Sequence, residues 1–230
     1  MTGGIVNFYL VEQGGRFTLV DAGTPKDLPL LVEAVGGLDT IDAILLTHAH
    51  ADHTGFAEQV RSEAGVTVHV HEADAEMART GELQDREGKV WRYLFRGESY
   101  RTLVSLTRRG GTKIVPIKEV SAFADGETLD VPGSPRVVHV PGHTEGVCAL
   151  YFEDRGVVCT GDSMVTRNPL TGRLGPQIMP SYLNVSSARA MESLDRLEDL
   201  PAMTVLPGHG EPFRDGTGDA VRRAREAGFS

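Results

Sequence analysis

The 230-residue sequence predicts an α+β fold: two sheets packed face to face with helices outside. Three observations carry that expectation. Short strand-like runs alternate with helix-like stretches along the whole chain. The pattern comes in two halves, each a set of strands followed by helices. The composition, 40% hydrophobic and 24% charged, suits a globular domain with a sizeable core, and no low-complexity linker interrupts it. One domain over residues 1–230 is expected.

The elements follow in order. IVNFYLVE and RFTLVDAG read as two strands joined at Gly14–Gly15. Thr24–Pro25 opens a helix whose apolar positions Leu28, Leu31, Val32 and Val35 keep the helical period, and Gly36–Gly37 stops it. IDAILLTH is a continuous apolar run, hence a buried strand. TGFAEQVRSEAG reads as a helix, VTVHVHE as a strand and EADAEMAR as a short helix. In the second half TKIVPIKEV, ETLDV, RVVHVPGH, VCALYFE and GVVCTGD are strand candidates. Ser186 or Ser187 caps a helix, ARAMESLDRLEDL, with Met191, Leu194, Leu197 and Leu200 on one face and Pro201 at its end. MTVLPGHG is a last strand, and DAVRRAREA a short polar helix.

Charge and composition exclude several classes. The net charge of −9 argues against nucleic acid or an anionic membrane as the main partner. No apolar run approaches the ~20 residues of a membrane helix. The start, MTGGIVNFYLVEQGG, lacks a basic region and a small-residue cleavage site, so a cytoplasmic protein is expected. Cys148 and Cys159 sit in apolar runs and read as buried, reduced thiols. One stretch differs. Residues 80–113 hold eight basic residues against four acidic ones, together with Trp91, Tyr93, Phe95 and Tyr100. A helical excursion with a solvated basic face and a packed aromatic underside is favoured there over a substrate-facing cap.

The chemistry centres on THAHADHTG, residues 47–55, which sets His48, His50, Asp52 and His53 in the pattern H-x-H-x-D-H. Eight histidines and fifteen aspartates in the chain make such a cluster improbable by chance. Four titratable side chains directly after a buried strand are costly to dehydrate unless something pairs with them, and imidazole with carboxylate is the donor set of zinc and its neighbours. In an extended segment residues i and i+2 point the same way, so His48 and His50 can grip one ion. Asp52 and His53 follow where the chain turns, and can face a second. Three further donors end strand-like runs beside glycine: His143 in HVPGHT, Asp162 in TGDS and His209 in LPGHG. His69, His71 and His139 read as packing residues or as supports behind the ligands, and Ser163 and Tyr182 as ordinary loop residues in preference to substrate contacts.

This set of motifs resembles the metallo-β-lactamase superfamily over most of the chain: YLVEQGGRFTLVDAGTP, THAHADHTG, HVPGHTEG, TGDS and LPGHG, in that order. The resemblance implies a four-layer αββα sandwich. It implies that His48, His50 and His143 bind one metal ion and Asp52, His53 and His209 a second, with Asp162 bridging. It also implies that Asp21, in LVDAG, supports the site from behind. The implied cofactor is a pair of divalent ions, zinc first, with iron and manganese also compatible. Such a pair acidifies a water into a nucleophile, and Asp52 would orient it and carry its proton.

The implied activity is hydrolysis of an ester-like bond, a thioester or a lactone, in a small-molecule substrate. Asp162 fills a position that the true β-lactamases of this fold leave without a bridging aspartate. The RNA-processing branch needs a basic arm. The glyoxalase II (hydroxyacylglutathione hydrolase) branch is nearest in ligand pattern, although 21 residues follow His209 and SMVTRNPLTGRLG lacks the usual Gly-Cys-Gly-Arg run. The lactonase branch has a tyrosine where Ser163, Met164 and Val165 stand. The alternative is an enzyme resembling the persulfide dioxygenases, with one iron on His48, His143 and Asp162. A third reading is a metal-bound scaffold without turnover. Specificity is expected in residues 89–113 and 163–184.

Overall fold

A tight turn starts the first sheet. In the computed structural model, which describes residues 4–89, 93 and 96–229, Gly14 and Gly15 both take positive φ, +62° and +80°. Two such residues match the twist of a two-residue hairpin. The turn joins β1 (Tyr9–Gln13) to β2 (Arg16–Val20), antiparallel, with Tyr9 opposite Val20. Strands β3 (Ile41–Leu45), β4 (Thr67–His71) and β5 (Ser121–Phe123) then add in parallel, giving the order β1-β2-β3-β4-β5. Parallel neighbours need crossovers. Helix α1 (Leu28–Val35) carries the first, and α2 (Ala51–Thr54) with α3 (Ala57–Ala64) the second. Helix α4 (Ala75–Thr80) and helix α5 (Gly97–Arg109) lie between β4 and β5.

The second sheet has the order β11-β8-β7-β6: β6 (Arg136–His139), β7 (Cys148–Phe152), β8 (Val157–Gly161) and β11 (Thr204–Pro207). Both β6 and β8 run antiparallel to β7, and β11 runs parallel to β8. Strands β6, β8 and β11 therefore end at the same edge. A small antiparallel pair, β9 (Val165–Arg167) and β10 (Leu174–Gln177), follows β8. Helices α6 (Ser187–Ser193), α7 (Asp195–Glu198) and α8 (Thr217–Ala227) complete the chain.

Three apolar clusters define four layers. Leu19, Ile44, Val68 and Val70 pack with Leu31, Phe56 and Val60, joining the first sheet to its helices. Val20, Ala43 and Leu45, their alternate neighbours, meet Cys148, Leu150, Phe152 and Cys159 between the sheets. Ala149, Tyr151 and Val158 pack on Leu194, Leu197, Val221 and Ala224. Period-two alternation thus sends each strand to two different cores. Both faces of β7 are buried, which is why CALYF is continuously apolar. No helix of the described residues is long and apolar enough to cross a membrane.

Several expected elements differ. TKIVPIKEV forms no strand; residues 112–120 run as a loop over the first helical layer, where Ile117 is buried. Pro116 has no N–H for a ladder, which fits. ETLDV makes a single bridge, Thr128 to Arg136. The helix expected over TGFAEQVRSEAG starts later, at Ala57, behind the short turn α2. ARAMESLDRLEDL breaks at Leu194 into α6 and α7, and Ser186 is the cap, accepting the Arg189 N–H. The tail helix is amphipathic, burying Ala220, Val221 and Ala224.

In the basic stretch, Trp91, Arg92 and Phe95 lie outside the described residues. Arg101 and Arg108 are solvated, but Arg109 pairs with the fully buried Asp27. Of the two aromatic residues described there, Tyr93 is buried and Tyr100 is 68% exposed. His71 and His139 stack with ring centroids 4.1 Å apart. Cys148 and Cys159 are buried and unbridged, and burial pushes both thiols up.

Candidate metal centre

The sequence-predicted donors come together because their strands end at one edge. His48 stands three residues beyond β3, and His50 is the extended residue that opens α2, on which Asp52 and His53 sit. His143 lies four residues beyond β6, Asp162 directly after β8 and His209 two after β11. A buried strand end is a rigid support, and each donor inherits that rigidity.

All seven side chains meet in one cluster. His48, His50 and His143 form one triad of donor atoms and Asp52, His53 and His209 another; His48, His53 and Asp162 form a third group linking them. Asp162 is central. Its Oδ2 lies 3.5 Å from His143 Nε2, 3.9 Å from His48 Nε2 and 3.2 Å from His209 Nε2, while its Oδ1 lies 3.5 Å from His53 Nε2. His209 Nε2 is 3.5 Å from Asp52 Oδ2, and His50 Nδ1 is 2.8 Å from His143 Nε2. Two donors on one tetrahedral ion, each bonded at about 2.0–2.1 Å, stand about 3.3 Å apart. Most of the spacings cluster near that value. His48 Nε2, His53 Nε2 and Asp162 Oδ1 are buried and make no hydrogen bond. Buried polar atoms left unmatched and aimed at a common point fit a metal ion.

For four of the five histidines the second ring nitrogen explains the orientation. His53 Nδ1 donates to Asp21 Oδ2 at 2.9 Å. Thr47 gives both its N–H and its hydroxyl proton to Asp21, so the hydroxyl oxygen accepts from His48 Nδ1 at 3.2 Å. His143 Nδ1 donates to Asn184 Oδ1 at 3.2 Å, and His209 Nδ1 to the Ile5 carbonyl at 2.5 Å. Each bond fixes a tautomer that leaves Nε2 free to ligate. Asp21 holds φ at +58°, a left-handed conformation that aspartate tolerates better than most residues.

Sequence reading missed three supports. Asn184 carries His143 and is itself held by donating to the Met179 carbonyl and to Ser187 Oγ. Asp74 accepts from Ala49 N–H, Gly146 N–H, Thr144 hydroxyl and Gln84 amide, lacing the loops of His48 and His143 together; burial raises its pKa despite those bonds. Asn7 donates to the Pro207 and Gly210 carbonyls, bracing the His209 loop. These residues carry no local pattern, since the loops they support lie far from them in the chain.

The electrostatics divide the donors. Burial holds His48 and His50 well below the usual histidine value and His143 at about 4, so all three are neutral at pH 7. Burial presses on His53 and His209 too, but Asp162 with Asp52 overcomes it and raises both, Asp21 adding to the effect at His53. Burial would likewise raise Asp162, yet the charges of His209 and His53 hold it well below the carboxylate range. The cluster opens into a cleft of about 540 Å³, walled by Leu83, Leu103, Leu106, Leu170 and Met179.

The model of the metallo-beta-lactamase superfamily matches residues 1–209, and the chain belongs to that superfamily. A Bacillus subtilis relative, the probable metallo-hydrolase YflN, is 26% identical over 228 residues, covering 91% of this chain and 82% of the relative. The metallo-beta-lactamase family protein TTHA1429 of Thermus thermophilus superposes with a TM-score of 0.65 at 29% identity, covering 96% of this chain and 73% of that one. TTHA1623, solved in a di-iron-bound form, gives 0.61 at 27% identity, with 97% and 96% covered. The fold is thus the metallo-β-lactamase sandwich, and the chain is a member of a superfamily of metallo-hydrolases.

Proposed function

We propose that this protein is a dinuclear metallo-hydrolase that cleaves an ester-like bond, a thioester or a lactone, in a small molecule. The observation that carries the reading is the pair of donor triads on either side of one buried carboxylate, Asp162. His48, His50 and His143 would hold one ion and Asp52, His53 and His209 the other, with Asp162 shared. When bound, two divalent ions, zinc first, would supply an acidified water as nucleophile and Lewis acidity toward the scissile carbonyl. The chain's own residues do the rest. Asp52 borders the cleft, with its side chain 17% exposed, and its carboxylate can take up a proton and return it to the leaving group. Asp21, Thr47, Asn184 and the Ile5 carbonyl keep His48, His53, His143 and His209 in the ligating tautomer. The leucine-rich walls offer apolar surface to the substrate beside the reacting bond.

TTHA1623 is described with two irons, which supports a two-ion site here and leaves iron open as the metal. The one-iron alternative uses only His48, His143 and Asp162 and gives no role to the convergence of Asp52, His53 and His209. The test is metal analysis of the purified protein, joined to a screen over thioesters, lactones and phosphoesters in each metal form. Two ions per chain with turnover of thioesters or lactones is the expected result. Fewer than two under metal-replete conditions, or oxygen uptake with glutathione persulfide, overturns it.

A further inference from the structure

The chain carries nine more negative than positive charges, yet its cleft is not acidic. Apart from Asp52 and Asp162, both in the metal cluster, no acidic side chain borders it among the described residues, whereas Arg86 and Lys113 do. Many of the described arginines are paired, among them Arg16 with Asp42, Arg61 with Glu58, Arg109 with Asp27, Arg189 with Glu145 and Arg196 with Asp125. Arg86 is half-buried, and among the described residues no carboxylate pairs with it. Its guanidinium lies over the Tyr182 ring, 5.7 Å from the centroid, an arrangement that holds the group in place and leaves its N–H fork open.

The segment carrying Arg86 is pinned on both sides. Before it, Gln84 donates to Asp74 and accepts the Glu145 N–H. After it, Glu87 donates its N–H to the Asn184 carbonyl and accepts from the Ser187 N–H. Gly88 lies so close to Tyr182 that a Cβ there would stand 2.3 Å from the Tyr182 nitrogen. The segment is thus tied to the residues that orient His143. A merely solvated arginine needs no such support.

We propose that Arg86, seconded by Lys113, recognises an anionic group on the substrate, so that the compound hydrolysed pairs an ester-like bond with a carboxylate or similar anion. This rests on the cleft being the substrate site. Arg86 is a specificity residue: it grips the charged end while the scissile bond lies at the metal cluster and apolar portions lie on Leu83, Leu103 and Leu106. A guanidinium fork matches a carboxylate bidentately, and the low-polarity walls strengthen that pairing.

The experiment is calorimetric titration of the two-zinc protein with 3-mercaptopropionate and with its neutral isostere 3-mercaptopropionamide. Both offer a thiol to the metal and differ only in the anion. No turnover is read, so absence of hydrolysis would sink the ester reading and leave this measurement intact. The wild type is expected to prefer the carboxylate by about tenfold, as a charged hydrogen bond implies. R86Q should lose that preference, R86K should keep part of it, and R101Q, at a solvated arginine, should retain it. A wild type with no preference overturns the proposal, as does an R86Q variant that keeps it in full.

Discussion

Asp21 shows how one buried carboxylate disciplines several neighbours. It accepts from the Thr47 backbone, the Thr47 hydroxyl and His53, and so fixes the tautomers of both His48 and His53. Asn shares aspartate's tolerance of positive φ, so D21N removes the charge with little backbone strain. Its expected effect is a loss of roughly 10–100-fold in zinc affinity with the fold intact, read by competition with a chromogenic chelator. Protonation gives a second prediction. His48, His50 and His143 are neutral before metal arrives, whereas the raised His53 and His209 carry protons to a higher pH. Metal must displace those protons. The affinity of the Asp52–His53–His209 triad should therefore weaken as pH falls from 8 to 6, while the histidine triad changes less. A pH indicator during zinc titration should register acid release with one equivalent and little with the other.

At the scale of elements, the donors depend on how closely two strand ends approach. Gly208, between β11 and His209, sits against Asp162; a Cβ there would stand 2.2 Å from Asp162 Oδ1 and 2.8 Å from His53 Cε1. G208A should displace the shared carboxylate and cost at least one bound ion per chain, measured by elemental analysis. The control is G36A at the C-terminus of α1, where φ is +74° and nothing lies within 4 Å of the added atom. That change should cost about 1–2 kcal/mol from the left-handed backbone and leave metal content unchanged. The element that sequence pattern misjudged, TKIVPIKEV, has a related cause. Ile114, Ile117 and Val120 do face a core, but from a loop laid over helices, and Pro116 removes a donor that a central strand would need.

For the whole molecule, the cluster of candidate ligands joins the two sheets. His48, His50, Asp52 and His53 follow the first sheet, while His143, Asp162 and His209 follow the second. Metal bound between them would tie the halves together and add to stability by mass action. Zinc at 100 times its dissociation constant is worth about 2.7 kcal/mol. For a chain of this length that raises Tm by roughly 5–10 °C, and chelator should reverse it in differential scanning calorimetry. An unchanged Tm would contradict the location of the site.

By itself the sequence determined what depends on near neighbours. H-x-H-x-D-H is a local pattern, the Gly-flanked His143, Asp162 and His209 are local strand ends, and period-two and period-3.6 apolar repeats set most strands and helices. It therefore named seven side chains that the fold brings into one cluster. Tertiary structure alone decided which distant groups complete them: Asn184 on His143, Asp74 between two loops, Asn7 beneath His209, and Arg86 left open over Tyr182. A hydrogen bond between residues a hundred positions apart leaves no periodicity in either segment, because its geometry comes from packed sheets and not from the chain beside it.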